Sequence, residues 1–290
     1  MLKQALLIVN PASGNHDNKS ELIDSITKNT TGYKVTQWNT TGKDDDQKIN
    51  KLLDKEDFDL IMVAGGDGTI SLVASQMLGL NTPLLPIPLG SANGLCACLG
   101  IQNLEDSITA LNAKKTIQMD ILRVNGEICL HLCDFGFNAA LVKKFEENEE
   151  RGMISYFKSS LTQIFENNKF SFNLELNGES LNQNAKMLVI ANGDRFGTGV
   201  KINPLGKMDD GKFEVVVLNP DSIKDWTALI LAFIKEDLSG LDFVEVFQTN
   251  RVHITNLKDA VCHVDGEVID DQKTVLIELI DKSINFFSNV

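Results

Sequence analysis

The chain lacks any apolar run of the roughly 20 residues that a membrane-spanning helix needs. Positive charge is scarce: 27 lysines and arginines stand against 40 aspartates and glutamates, a formal net charge of −13. That balance excludes nucleic acid as a partner and excludes docking to an anionic membrane by charge alone, since both need basic patches. Cys-x-x-Cys pairs are missing. Cys96 and Cys98 form one close pair, Cys129 and Cys133 another, and Cys262 stands alone. An odd count suits reduced, buried thiols. Cys129, His131 and Cys133 read as alternating with Leu130 and Leu132 on one strand, too close together on one face for a tetrahedral zinc cage. The opening Met1–Asn10 has too short an apolar part for a signal peptide and no small-residue cleavage site, so the expectation is a cytoplasmic chain.

What is present is an ordinary soluble composition, 43% apolar and 23% charged, over 290 residues, enough for two domains or one large one. The first 120 or so residues alternate strand and helix patterns. Ala5–Val9, Tyr33–Trp38, Leu60–Val63 and Leu84–Ile87 read as strands buried on both faces. Helical patterns lie near Ser20–Lys28, Asp45–Leu53, Thr69–Leu78, Ser91–Leu99 and Leu104–Leu111. This predicts an open α/β sheet with crossover helices, whose ligands sit at the carboxyl ends of the strands. Three polar, glycine-containing turns fall at that edge: Asn10–Gly14, Gly65–Thr69 and Leu89–Gly94.

After Asp120 short strands dominate: Ile121–Val124, Glu127–Leu132, Phe170–Leu176, Lys186–Ala191, Phe213–Leu218, Phe243–Phe247, Arg251–Thr255, Ala260–Val264 and Val275–Ile280. Asn125-Gly126, Asn177-Gly178 and Asp265-Gly266 are hairpin signals. Helices are expected near Ala139–Glu147, Ile154–Phe165 and Ser222–Ile234. The expected division is an α/β domain over 1–122, rejoined by a last strand at 281–290, and a β-sandwich domain over 123–280.

The Gly65-Gly66-Asp67-Gly68-Thr69 turn joins a strand to a helix. Its amides point outward at a helix N-terminus, where phosphate is favoured. It is neither a Walker A loop nor a G-x-G-x-x-G turn. Asp67 in such a turn makes sense beside a divalent cation or a reacting hydroxyl. Gly90–Gly94 reads as a second phosphate-facing loop, or as a helix cap with Ser91 as N-cap. Asp265 and Glu267 flank a hairpin turn. They are read either as structure or as paired carboxylates of which one is left as a general base. Met208-Asp209-Asp210-Gly211 is either a surface turn or a small oxygen-ligand cation site. His131, His253 and His263 read as core or surface-face histidines.

In this order, Ile8–Gly14, Gly65–Thr69, Gly90–Asn93, Gly136–Ala139, Asn192-Gly193, Met208–Gly211 and Val264–Glu267 resemble the diacylglycerol kinase catalytic-domain family, especially its YegS-like bacterial soluble lipid kinases. The chain is also similar to sphingosine and ceramide kinases. The resemblance implies an NAD-kinase-like α/β domain that binds ATP, a β-sandwich domain with the lipid site, and a catalytic cleft between them. It matches Thr40, Gly66–Thr69 and Ser91 to nucleotide contacts, with Asn10, Gly65 and Asn93 in the same turns. It makes Glu267 the proton acceptor beside Asp265 and Asp67. Asp67 and Asp120 match acidic positions linked to magnesium. Asp210 matches a structural magnesium ligand, completed by the carbonyls of Lys207 and Lys212. The sequence departs from the family's second loop, with Ser91 for Thr and Gly94 for Asp, and has Asn138 where Asp is frequent.

The expected activity is ATP- and Mg2+-dependent phosphorylation of a hydroxyl on a membrane-derived lipid, at the inner membrane surface. A soluble nucleotide acceptor and a silent nucleotide- or lipid-binding regulator are the alternatives. An apolar lipid entrance is expected around Phe157, Leu161, Ile164 and Phe165. An edge strand open to pairing leaves a homodimer as one assembly.

Overall fold

The structure is a computed structural model and describes residues 2–14, 19–90, 93–136, 169–196, 200–201, 203, 206–235, 237–238, 240–256, 260–265, 267–269 and 273–290. The elements of the first part are β1 (Lys3–Val9), α1 (Lys19–Asn29), β2 (Tyr33–Asn39), α2 (Asp45–Lys55), β3 (Leu60–Gly65), α3 (Asp67–Gln76), β4 (Leu84–Pro88), α4 (Gly94–Cys98), α5 (Leu104–Ala113) and β5 (Thr116–Val124). Strands β1 to β4 are parallel in the order β2-β1-β3-β4. Every residue of β3 and β4 is buried, as continuous apolar runs in a parallel sheet covered on both faces require. Strand β2 differs from its expected place: it is the edge, and none of its residues is fully buried.

The second part holds β6 (Glu127–Cys129), β7 (Leu132–Phe135), β8 (Phe170–Leu176), β9 (Glu179–Ala185), β10 (Met187–Ala191), β11 (Arg195–Phe196), β12 (Val200–Lys201), β13 (Phe213–Leu218), α6 (Ile223–Lys235), β14 (Val244–Thr249), β15 (Arg251–Asn256), β16 (Cys262–Val264), β17 (Glu267–Ile269) and β18 (Thr274–Phe287). The expected helices at 139–147 and 154–165, and the entrance residues Phe157, Leu161, Ile164 and Phe165, lie outside the described residues. The single strand expected over Glu127–Leu132 is two strands, broken at Leu130 and His131. Cys129, His131 and Cys133 therefore do not share one regular face.

The three hairpin signals make hairpins. Asn125 and Gly126 have φ 48° and 102°, Asn177 and Gly178 have 54° and 81°, and Asp265 has 47°. Left-handed backbone at these positions matches the twist of the flanking strands. Each turn closes a paired register, Val124↔Glu127, Leu176↔Glu179 and Val264↔Glu267.

Strands β5 and β18 bind the molecule together. They pair antiparallel along most of their lengths, from Ile277↔Val124 to Phe287↔Thr116, with a register shift between Leu279 and Ser283. Strand β18 also pairs with β15 near its start and with β4 at Phe286. One ten-stranded sheet thus runs β2-β1-β3-β4-β18-β15-β8-β9, with β5 and β6 attached to β18. The six-stranded sheet β14-β13-β10-β7-β16-β17 packs on the second half of it. The sandwich core lies between, with Leu122, Phe172, Ile254 and Ile277 facing Phe135, Ile190, Phe213 and Val264. Met119 and Ile121 on β5, and Ile284 and Phe286 on β18, belong to the core of the α/β half. Helix α6 covers the other face of β10 and β13 through Trp226 and Leu229.

Phe286 is fully buried in the α/β core. Phe286→Ala should cost about 3–5 kcal/mol of folding stability, the range for emptying a buried aromatic site. Urea unfolding measures it, and a loss below about 1 kcal/mol would contradict this packing.

On the face of β7 and β16 away from the sandwich core, His263 Nδ1 lies 3.1 Å from Asp134 Oδ1. The hydrogen bond to Asp134 raises the His263 pKa, burial opposes, and the Asp134 charge adds to the rise. The raised native value means the pair stabilises fully below the unfolded histidine value of about 6.5, and this contribution is lost as pH rises through the native value. The stability gap between wild type and His263→Gln should therefore narrow as pH climbs above about 6.5. A gap that does not change with pH would contradict the pairing.

Candidate functional site

The carboxyl ends of the parallel strands form one rim. Asn10 follows β1, Thr40 follows β2, the glycine turn opens at the end of β3 and Leu89 follows β4. Strand order reverses around β1, and the crevice at such a switch point is where open α/β sheets bind ligands. Side chains tie the rim together. Asn10 Nδ2 donates to Thr69 Oγ1 at 2.9 Å, and Asn10 Oδ1 accepts from the Ala12 amide. The Thr40 amide donates to the Val9 carbonyl.

The two glycine turns touch. A Cβ on Gly66 would stand 3.2 Å from the Gly90 Cα, and one on Gly90 only 2.6 Å from the Gly66 Cα. A Cβ on Gly65 would strike Thr69 at 2.5 Å. Side chains are thus excluded where backbone meets backbone. Asn93 closes the second turn. Its Oδ1 accepts from the Gly90 amide at 2.9 Å and its Nδ2 donates to the Gly90 carbonyl at 2.8 Å, with its own backbone left-handed at φ 50°. Ser91 lies outside the described residues. Helix α3 begins at Asp67 with no side-chain cap, so its first-turn amides face the rim. A bare backbone cradle of this kind fits phosphate groups.

Asp67 has a task that the sequence reading did not assign. Its Oδ2 accepts from the Gly94 amide at 2.7 Å and its Oδ1 from the Leu95 amide at 3.1 Å. The carboxylate caps α4 and fixes the second turn against the first. Burial raises the Asp67 pKa, while His131 and the two amides pull it down and Asp265 pushes it up.

The Asp265–Glu267 hairpin arrives from the sandwich side. Of its two carboxylates, read either as structure or as a pair, Asp265 has a structural task. Asp265 points inward: its Oδ1 accepts from the amides of His131 at 2.9 Å and Leu132 at 3.2 Å, and its Oδ2 from the amide of Leu130 at 2.9 Å. Ser71 on α3 adds a longer bond to Oδ2, 3.4 Å. Glu267 is exposed and turns the other way. Its Oε1 lies 3.6 Å from where a Cβ of Gly68 would stand, directly over the glycine turn. The structure thus brings together Asn10, Thr40, Gly65–Thr69, Asn93 and Glu267, with Asp67 and Asp265 as their supports.

Asp120 stands apart from this group, at the Met208–Lys212 turn. Its amide donates to the Met208 carbonyl at 2.7 Å, and its Oδ2 accepts from the Gly211 amide at 2.7 Å. Asp210 Oδ1 accepts from the Lys212 amide at 3.1 Å. Burial raises the Asp120 pKa, the Gly211 amide opposes, and Asp210 and Asp209 add to the rise. Carboxylates crowded in this way fit a divalent cation. Among the described residues no group of three or more His, Cys, Asp or Glu side chains is arranged to hold a metal, so a cation at this turn would take backbone carbonyls, such as those of Lys207 and Lys212, as further ligands.

Residues 4–124 match the diacylglycerol kinase catalytic domain, and residues 132–285 match the YegS C-terminal NAD kinase beta sandwich-like domain. The chain belongs to the YegS-type diacylglycerol kinase family. That family is one of kinases, phosphotransferases with an alcohol as acceptor. A protein described as a candidate lipid kinase in Staphylococcus haemolyticus is 29% identical over 83% of this chain and 80% of its own length. The diacylglycerol kinase of Bacillus subtilis is 24% identical over 92% of this chain and 90% of its own. Among solved structures, a candidate diacylglycerol kinase from Bacillus anthracis superposes with a TM-score of 0.78 at 22% identity, covering 99% of this chain and 97% of that one. An NAD kinase from Archaeoglobus fulgidus, solved with ATP, gives 0.56 at 13% identity, covering 99% and 94%. At these identities the structures show the fold. It is the two-domain NAD-kinase-like fold with a β-sandwich that the family implies.

Within this site, a tight glycine and an open one separate by substitution. Gly90→Ala forces backbone apart and should cost about 1–3 kcal/mol, as overpacking does. Gly68→Ala meets Glu267 only at ordinary contact distance and gains helix propensity, so it should unfold at the wild-type urea concentration or above. Equal midpoints for both variants would contradict the contact between the turns.

Proposed function

We propose that the chain transfers the γ-phosphoryl group of ATP, with Mg2+, to a hydroxyl of a membrane-derived lipid of the diacylglycerol, sphingoid or phosphatidylglycerol type. The observation that carries this reading is the placement of Glu267 over Gly68. A carboxylate from the sandwich hairpin stands above a phosphate-type cradle from the α/β half. In the proposed reaction residues 1–122, with 281–290, bind ATP, and residues 123–280 present the lipid.

Phosphoryl transfer depends on positioning and charge neutralisation more than on covalent chemistry by the protein. The amides at the start of α3 hold the phosphates. Magnesium, when bound, supplies neutralisation of phosphate charge; the Asp120 and Asp210 region fits a structural ion. Glu267 is exposed and so free to accept the proton of an incoming hydroxyl, whereas Asp265 is occupied by amides. An apolar acceptor is supported beside it: Val268 is 63% exposed and Val261 53%. Among the described residues no helix is long and apolar enough to cross a membrane. The proposed reaction is set at a membrane surface, on its cytoplasmic side, because its acceptor is a membrane-derived lipid.

The test is γ-labelled ATP with Mg2+ and a total lipid extract, counting label in the organic phase. The wild type should label lipid. Glu267→Gln should lower turnover about 10²–10⁴-fold, the worth of a positioned base, and leave ATP binding intact. Unlabelled lipid with wild type, or full turnover in the variant, would overturn the assignment.

A further inference from the structure

His131 is a buried ionisable side chain that the proposed proton transfer does not use. It sits in the break between β6 and β7 and is 4% exposed. Its ring Nε2 lies 2.5 Å from the Arg195 carbonyl and 3.5 Å from the Cys98 sulfur. A carbonyl only accepts, so Nε2 carries the hydrogen and donates it to Arg195. Its main chain is engaged as well: the amide donates to Asp265 Oδ1 at 2.9 Å, and the carbonyl accepts from the Asn192 amide at 3.0 Å. The loop after β10 is equally close to α4, since a Cβ on Gly193 would meet the Cys98 sulfur at 3.0 Å.

One residue is thereby joined to α4, to β11, to the Asn192 loop and to the Glu267 hairpin. Helix α4 is the one that Asp67 caps, and the hairpin is the one that Asp265 anchors. The titratable groups facing the ring are Cys98 on α4, Asp67 on α3 and Asp265 on the hairpin. Burial disfavours the imidazolium, but Cys98, then Asp67 and Asp265, outweigh it and push the pKa up to about 10. In turn His131 lowers the Asp67 pKa against the effects of burial and of Asp265. A cation beside Asp67 favours its ionised form, and an ionised carboxylate is the stronger acceptor for the amides it holds.

We propose that His131 is a positioning residue: its buried ring, set against Cys98 of α4 and the Arg195 carbonyl, and its amide, donated to Asp265, together lock α4 of the nucleotide half to the hairpin that carries Glu267, and so set the distance between cradle and acceptor. It touches neither reactant. Its part in turnover rests on the phosphotransfer reading above; its part in holding the two segments does not.

Two variants separate these. His131→Gln keeps an N–H donor of similar reach, and His131→Leu removes it. Amide hydrogen exchange on the full-length protein reads the holding role without any substrate. In His131→Leu, exchange at Gly94, Leu95 and Leu130–Leu132 should speed up about tenfold or more relative to the sheet cores, and His131→Gln should restore much of the protection. Cys98→Ala, a milder change, should loosen Gly94 and Leu95 and spare Leu130–Leu132. In the lipid-labelling assay His131→Leu should lower turnover about 10–100-fold, as a small misplacement does, with the KM for ATP within about threefold of wild type. His131→Gln should recover most of that turnover. Unchanged exchange in His131→Leu would overturn the proposal, as would uniform acceleration across the whole chain or equal losses in both His131 variants. The expected exchange pattern, with no labelled lipid from wild type, would uphold the holding role and remove the lipid-kinase reading instead.

Discussion

The antiparallel pairing of β5 with β18 is the constraint on which the remaining architecture hangs. Two strands far apart in sequence run side by side through both halves, from Phe287↔Thr116 to Ile277↔Val124. A strand has two faces and two edges, and this ribbon uses all of them. Its edges carry β4 and β15 on one side and β6 on the other. Its side chains fill the α/β core at Met119 and Ile284 and the sandwich core at Leu122 and Ile277. The only register shift lies between Leu279 and Ser283, where the ribbon passes from one core to the other. Extra residues in one strand raise the local twist and bend it. The orientation of the hairpin over the glycine rim therefore follows from backbone pairing.

On either side of that ribbon, loops of the site are fixed by carboxylates that accept from backbone amides of their own half. Asp67 holds Gly94 and Leu95, and Asp265 holds Leu130, His131 and Leu132. A hydrogen bond to an ionised group contributes about 1.5–3 kcal/mol net, against about 1 kcal/mol for a neutral one. A carboxylate that takes up a substrate proton must loosen such bonds. This decides between the two acids of the hairpin: Asp265 is held by several amides, while Glu267 is exposed. The structure thus gives different surroundings to two acids that the spacing of the sequence leaves equivalent.

Much of this was legible in the chain because its causes are local. Asn-Gly and Asp-Gly fix left-handed turns, so the hairpins at 125, 177 and 265 could be read from dipeptides. Continuous apolar runs announced β1, β3 and β4. The failures are equally physical. Strand β9, Glu179–Ala185, carries almost no apolar residue and went unread, because an exposed edge strand is held by its ladder with β8 and needs no hydrophobic period. Tyr33–Trp38 has the composition of an interior strand but lies at the edge. Glu127–Leu132 alternates like one strand yet breaks at His131, where the amides turn aside to Asp265. The partners of Asp67 are 27 and 28 residues away and those of Asp265 more than a hundred, so no window of sequence joins them. His131 reads as a core or surface-face histidine and is buried, but a lone histidine among leucines carries no mark of what its ring meets.

The excess of acid in this chain bears on the proposed chemistry. A protein of net charge −13 that binds a polyanionic nucleotide cannot rely on its overall field. The α/β rim offers another source of positive potential: main-chain amides at the start of α3, in turns where glycine removes the side chains that would screen them. Such a cradle works only if the carboxylates around it are turned away. Asp67 and Asp265 are both satisfied by main-chain amides. Glu267, which lies over the glycine turn, is the acid whose negative charge has a use in the proposed reaction, as acceptor for a proton that leaves the substrate. Acidic residues near a phosphate-type site are thus compatible with it when each has its own donors, and the same hydrogen bonds that neutralise them fix the loops that make the cradle.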